Sequence, residues 1–347
     1  MLDMPASPFL PGTKIQYAWD STSLGYLKTC PRLYQYHMIE GWIPKEESIH
    51  LRFGQEYHQA IYDYEVARAT GVEFEDAVRI VVQLLLARIK DWDPDPTLKP
   101  FPYKNKDQLL YLVVAYLDEF RDDPCKTLIL ENGKPAVELS FKFQLDFGPG
   151  HQSGLRTVAE REVESVETGG ITWGTHEVTQ QFPVHQPYLL CGHLDRVVTF
   201  ADSIFVVDHK TTTTALTDFY FNQYSPNNQM TLYTFAGKVI LDAVVSGVIV
   251  EGVQVLIEKP MKFERRPTYR SDEVIDEWLD DLEYHLANAE AFAEANYWPM
   301  NDTACGNYGG CQFREVCSRP AAVRERFLKS DFIQLTENER WNPLRAR

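Results

Sequence analysis

The chain has 347 residues, 44% of them hydrophobic and 24% charged, which is the balance of a globular protein with ample core and excludes a fibrous or disordered chain. Its 34 Lys+Arg against 50 Asp+Glu leave a formal charge of −16. That argues against gripping a polyanion by bulk positive charge, although a local basic groove is still possible. No stretch approaches a membrane span and no charged-then-apolar leader opens the chain, so a cytoplasmic protein without membrane partners is expected.

Residues to about Gly12 read as an extended, Pro-rich lead-in. Ser21-Thr22-Ser23 caps a helix running through Leu24 and Leu27 to Met38. Further helices are expected over Arg52 to Thr70, stopped by Gly71, over Phe74 to Trp92, and over Asp107 to Phe120. From Pro135 the period shortens, and Ala136 to Phe147 alternates as a strand with Glu138 inside it. Gly148 to Phe182 is polar, rich in Gly and Thr, and carries no clear period. After a hairpin, Asn227 to Leu241 reads as a helix, Gly247 to Ile257 as a strand and Asp272 to Trp298 as a long amphipathic helix. The tail from Cys305 reads as irregular and basic. With no repeat and no long linker, an α/β chain of one domain over 1–347 is expected: 13–130 mainly helical, 131–300 the α/β core, 301–320 a cysteine tail.

The hairpin carries the clearest chemistry. Gly192 to Val198 and Ile204 to Thr212 are apolar, β-branched runs around polar residues, joined at Ala201-Asp202-Ser203. A turn centred between Ala201 and Asp202 sets Asp195 opposite Asp208, with Cβ atoms about 4.5–5.5 Å apart. Lys210 then shares the face of Asp208. Facing carboxylates repel unless a cation lies between them, and a divalent metal is the evident candidate. A solvent-facing hairpin with scattered charges is the alternative. Val206 and Val207 interrupt the polar alternation, as in a strand covered on both faces, where buried acids need a reason.

Among six cysteines, Cys305, Cys311 and Cys317 form C-x5-C-x5-C between loosening glycines, and Cys30 before Pro31 is the candidate fourth ligand. Cys125 and Cys191 are left over. In a reducing compartment such a set is a metal site more often than disulfides. Zinc favours closer pairs, and the wider spacing suits an iron–sulfur cluster; zinc and unrelated thiols stay open as alternatives. A cluster would brace the N-terminal helix against the tail. Gly54-Gln55-Glu56-Tyr57-His58 lies on a predicted helix, where a lone His is more often an ordinary packed residue. Gln229 and Tyr233, one helical turn apart, read by themselves as amphipathic packing. Lys259 to Arg270, with Lys259, Lys262, Arg265 and Arg266 among aromatics, could track a phosphate backbone or be a solvated loop.

Taken in order, these segments resemble the PD-(D/E)XK nuclease superfamily, in its RecB-like branch. They are similar to its iron–sulfur members, the CRISPR-associated RecB-like exonucleases and AddB-type nuclease domains. The resemblance runs from Ser21 to Cys317. It includes the helix ending in Cys30-Pro31, G-x3-H at Gly54 to His58, G-x-x-D-R from Gly192, D-x-K at Asp208 to Lys210, Q-x3-Y at Gln229 and Tyr233, and the late cysteines. Asp208 stands where many members have Glu, and the C-x5-C spacing is wider than in many.

The resemblance implies a restriction-endonuclease-like core, a central mixed sheet flanked by helices. It implies that His58, Asp195, Asp208 and the His209 carbonyl hold Mg²⁺ or Mn²⁺ and that Lys210 positions or activates the attacking water; its place beside two carboxylates favours positioning. Gln229 and Tyr233 would position Lys210 and the scissile phosphate, and Glu138 would be an auxiliary acid. Cys30, Cys305, Cys311 and Cys317 would hold a [4Fe-4S] cluster. The expected activity is metal-dependent hydrolysis of DNA, preferentially single-stranded and from an end, in repair, recombination or phage or CRISPR DNA processing, with a helicase as a possible partner. The alternative is a non-cleaving DNA-binding or scaffold subunit, which the negative charge favours.

Overall fold

The first helix is capped one residue before the Ser21-Thr22-Ser23 run expected to cap it. Strand β1 (Ala18–Trp19) leads to α1 (Ser21–Thr29), capped by Asp20: its side chain accepts from Ser23 N at 2.8 Å, and its own N–H donates to Ser23 Oγ at 3.1 Å. The single helix expected to Met38 is broken at Cys30, whose backbone is extended (φ −164°, ψ 115°) as the residue before a proline prefers. Pro31 then starts α2 (Pro31–Tyr34), continued by a π-helical turn over Gln35–Ile39. Cys30 is thereby freed from the helical repeat.

The computed structural model describes residues 7–150, 161–166, 170–175, 187–257 and 259–345. After β2 (Trp42–Pro44) come α3 (Ile49–Ala69), α4 (Phe74–Arg88) and α5 (Lys106–Glu119), close to the expected bounds. Ser48 and Asn105 cap α3 and α5. The strands β3 (Lys126–Thr127), β4 (Val137–Gln144), β5 (Arg161–Val166) and β6 (Gly170–Thr175) follow. Most of the unassigned Gly148 to Phe182 segment lies outside the described residues. Next are β7 (Leu189–Phe200), β8 (Ser203–Thr212), α6 (Asp218–Asn222), α7 (Asn228–Leu241) and β9 (Val245–Gln254). The basic run is a strand, β10 (Lys262–Thr268), antiparallel to β9, and not a loop. After α8 (Asp272–Glu294) the tail is ordered rather than irregular, with a 3-10 run over Asp302–Gly309, α9 (Arg314–Cys317), α10 (Ala321–Asp331) and β11 (Phe332–Gln334). Its apolar residues are too sparse to show a period, yet Phe313, Val316, Leu328 and Phe332 close one cluster with Tyr36 and Trp42.

The chain gathers into two compact units. In the unit Glu47–Leu139 with His193–Ser271, the sheet order is β10-β9-β8-β7, with β3 also on β7. The pair β8/β9 is parallel while β7/β8 and β9/β10 are antiparallel, so the sheet is mixed. Helix α7 covers the face carrying Val206, where a Cβ on Gly237 would come within 3.2 Å of Val206 Cγ2. Helices α3, α4 and α5 share a core with Val253, Val255 and Met261 on the other face. The expected mixed sheet flanked by helices is therefore present.

In the unit Met1–Glu46, Ser140–Gly192 and Asp272–Arg347, β1 runs parallel to the opening residues of β7 and β11 pairs with β2. Tyr34 packs with Trp19 and Trp298, ring centroids 5.5 and 5.2 Å away. Gly192 is required by close approach: a Cβ there would lie 2.6 Å from the Phe141 ring. Among the described residues, no helix is long and apolar enough to cross a membrane.

Candidate functional site

The hairpin turn determines which side chains meet. Ala201 and Asp202 both take left-handed backbone (φ 47° and 61°), the two-residue turn whose twist matches paired strands, although neither is glycine. The ladder runs from Phe200↔Ser203 to Arg196↔Val207, and the next pair in that register is Asp195 opposite Asp208. Asp208 is fully buried and Asp195 nearly so. The His209 N–H donates to Asp195 Oδ2 at 3.0 Å.

Lys210 closes on Asp208. Its Nζ donates to Oδ1 at 2.9 Å and lies 2.7 Å from Oδ2, which stays outside hydrogen-bond geometry. The same ammonium donates to Gln229 Oε1 at 3.0 Å, and Gln229 Nε2 donates to Tyr233 Oη at 2.9 Å. The one-turn spacing of Gln229 and Tyr233 on α7 thus forms a relay that holds the lysine, more than amphipathic packing.

Helix α3 supplies His58. Its Nε2 lies 3.1 Å from the His209 carbonyl oxygen, which can only accept, so Nε2 carries the proton and Nδ1 turns to Asp195 Oδ2 at 3.3 Å. Glu138 arrives from the start of β4, where its backbone is left-handed (φ 47°), a rare conformation for a non-glycine residue inside a strand. One ligand atom each of His58, Glu138 and Asp195 lies within 4.8 Å of the others. This compact group includes the acid expected to be auxiliary, while Asp208 stands outside it with Lys210 on its carboxylate. No sequence signal announces the turn of backbone that brings Glu138 in.

Burial alone would raise both aspartates. Asp208 is pushed above the usual carboxylate range by burial, opposed by Lys210 and reinforced by the charge of Asp195. Asp195 is held below that range, because His58 and Lys210 outweigh its burial. Burial pulls Lys210 and His58 down, yet the carboxylates win and raise both, so Lys210 is protonated. An imidazole and carboxylates crowded round one point are a donor set that fits a hard divalent ion.

The opposite face of β8 is laced with ion pairs, although the buried His209 Nε2 has no hydrogen-bond partner among the described residues. His209, between Asp208 and Lys210, points away from the carboxylates, with Nδ1 2.6 Å from Glu251 Oε1. Arg265 does not face solvent: it bonds Glu251 and Asp123. Arg266 bonds Asp218 and Glu264, whereas Lys259 and Lys262 are exposed. Arg196, buried on that face, reaches Asp123 at 3.0 Å and Glu65 at 3.3 Å.

In the other unit Cys30, Cys305, Cys311 and Cys317 line one small pocket with Leu33, Asn301 and Phe313. None is in a disulfide. The Asn301 N–H donates to Cys30 Sγ at 3.3 Å. Burial, with the neighbouring sulfurs, raises the thiols of Cys311 and Cys317. The two spare cysteines are core: Cys125 packs with Val198 and Phe205, and burial pushes the Cys191 thiol up to about 12.

A mixed sheet carrying facing aspartates, an adjacent lysine and a Gln–Tyr relay is an arrangement suited to phosphodiester hydrolysis with a bound divalent ion. Residues 21–318 match the family model of the PD-(D/E)XK nuclease superfamily, and the chain belongs to that superfamily. The chain is also similar to a candidate exonuclease from Eubacterium rectale whose crystal structure is known, at 10% identity over 88% of this chain and 89% of that one, with a TM-score of 0.44. Among curated proteins, none matches the sequence.

Proposed function

We propose that the protein is a metal-dependent deoxyribonuclease acting as one domain in the cytoplasm, with single-stranded DNA ends as its preferred substrate and a helicase or similar machine delivering them. The observation that carries this reading is the Asp195–Asp208 pair with Lys210 held by Gln229 and Tyr233. His58, Glu138 and Asp195, with Asp208 and the His209 carbonyl beside them, would hold Mg²⁺ or Mn²⁺. Bound there, the ion would neutralise charge developing on the phosphate and lower the pKa of a water. Lys210, protonated between two carboxylates, donates hydrogen bonds that orient the water and a phosphate oxygen and does not act as the base. Gln229 and Tyr233 limit the lysine to one rotamer, and Lys259 and Lys262 are the exposed cations left to contact the backbone of DNA.

End-labelled single-stranded DNA, incubated with anaerobically purified protein and Mn²⁺, is expected to be degraded. Asp208→Ala and Lys210→Ala are each expected to slow cleavage by at least about 100-fold. No cleavage by the wild type, or equal rates in the variants, would instead make the chain a DNA-holding subunit.

For the cysteines we propose a [4Fe-4S] cluster. Four thiols from distant parts of the chain line one pocket. The wide C-x5-C-x5-C spacing suits an iron–sulfur cluster better than the closer pairs that zinc favours. Iron and acid-labile sulfide in the wild type, lost in Cys30→Ser, is the expected result. Stoichiometric zinc without iron would reverse the assignment.

A further inference from the structure

We infer that Glu251 and Arg265 are positioning residues for the metal-binding face, acting through the side chain of His209; this rests on the nuclease reading above. The His209 peptide group serves the site twice, through its N–H on Asp195 Oδ2 (3.0 Å) and its carbonyl oxygen on His58 Nε2 (3.1 Å). Two members of the compact ligand group therefore take their orientation from one residue. On a strand, side chains alternate, so Asp208 and Lys210 face the site while His209 projects behind it. Where the His209 ring is held decides how its peptide units are tilted.

That ring is held by a lateral row. His209 lies beside Glu251 across the parallel β8/β9 pair, and Glu251 lies opposite Arg265 across β9/β10. Glu251 is fully buried; Oε1 is 2.6 Å from His209 Nδ1 and Oε2 accepts from Arg265 Nε. Arg265 is fixed in turn by Asp123, its Nη2 donating to Oδ2 at 2.9 Å, and by the Phe120 ring, 3.9 Å from guanidinium carbon to centroid. Tyr57 and Tyr116 pack edge-on against the imidazole at 6.2 and 6.0 Å. Apolar residues of similar volume would stabilise such an interior about as well. What the ionic row adds is direction, because each partner accepts only one orientation of its neighbour. A misplacement of about 1 Å is enough to slow a reaction about 100-fold.

The test compares wild type with Glu251→Gln and Arg265→Lys, the second keeping the charge while losing the planar fork. Three quantities are read: kcat and KM on single-stranded DNA, Mn²⁺ affinity by titration of free Mn²⁺, and melting temperature. In each variant that melts well above the assay temperature, kcat is expected to fall about 100-fold. Mn²⁺ binding should weaken about tenfold while KM stays within about twofold of wild type. Rescue of the melting temperature by Glu251→Gln with Arg265→Met, without rescue of kcat, would separate placement from stability. A folded variant with wild-type kcat and Mn²⁺ affinity overturns the inference while leaving the nuclease reading intact. A wild type that neither cleaves nor binds Mn²⁺ removes the reading and the inference together.

Discussion

The two faces of β8 use the same residue types to opposite effect. On one, Asp195, Asp208 and Glu138 gather with Lys210 and His58, and Lys210 Nζ lies 2.7 Å from Asp208 Oδ2. On the other, Glu251, Asp123 and Glu65 are matched by Arg265, Arg196 and His209, with Asp123 taking both arginines. The first face crowds carboxylates and an imidazole together and holds one carboxyl above its usual range by burial, which is the state of a site prepared for a cation. On the second, each carboxylate is bonded to an arginine of the same face. Buried charge is costly in either case, so carboxylates converging with an imidazole on one point suggest a ligand, and carboxylates each bonded to an arginine suggest architecture.

Three variants would break or sharpen that contrast. The largest stability effect belongs to the arginine-paired face. Asp123→Ala strands Arg265 and Arg196 without their shared carboxylate and is expected to cost about 3–5 kcal/mol in urea unfolding. A destabilisation under about 1 kcal/mol would mean the row is not a structural unit.

On the first face the sign reverses. Because the folded state holds the Asp208 carboxyl above its unfolded range, ionising it opposes folding once the pH exceeds the unfolded value. Asp208→Asn is therefore expected to stabilise the metal-free protein by about 1 kcal/mol at pH 7 while abolishing cleavage. That gain should disappear as the pH falls below the ordinary aspartate range, where both states are protonated. Equal destabilisation at both pH values would sink the argument.

The smallest effect concerns the exposed cations. Lys259→Ala with Lys262→Ala should weaken single-strand binding a few-fold and flatten the log–log salt dependence by about 1.4, roughly 0.7 for each phosphate no longer neutralised. An unchanged slope would leave the strand β10 without a role in DNA binding.

Part of this contrast is legible in the sequence. Strict alternation along Ile204 to Thr212 puts Asp208 and Lys210 on one face and His209 on the other, and the hairpin register follows from the turn at Ala201-Asp202. The Gln229/Tyr233 spacing and the cysteine positions are equally local facts. The basic run is ambiguous for a physical reason: a charge pattern does not say which arginines are turned inward. Arg265 has its partners on β9 and at Asp123, far away in sequence, and only strand pairing brings them into reach.

The sequence by itself determined the order of the motifs and the face that each side chain of the hairpin and of the Gln229/Tyr233 helix takes, because β alternation and helical spacing act over a few residues. Tertiary structure alone decided that Glu138 turns into the site through left-handed backbone, that Arg265 clamps Glu251, and that Cys30 meets cysteines nearly a chain length away. Each of these depends on packing between distant segments, which sets backbone conformation and charge pairing that no local preference specifies.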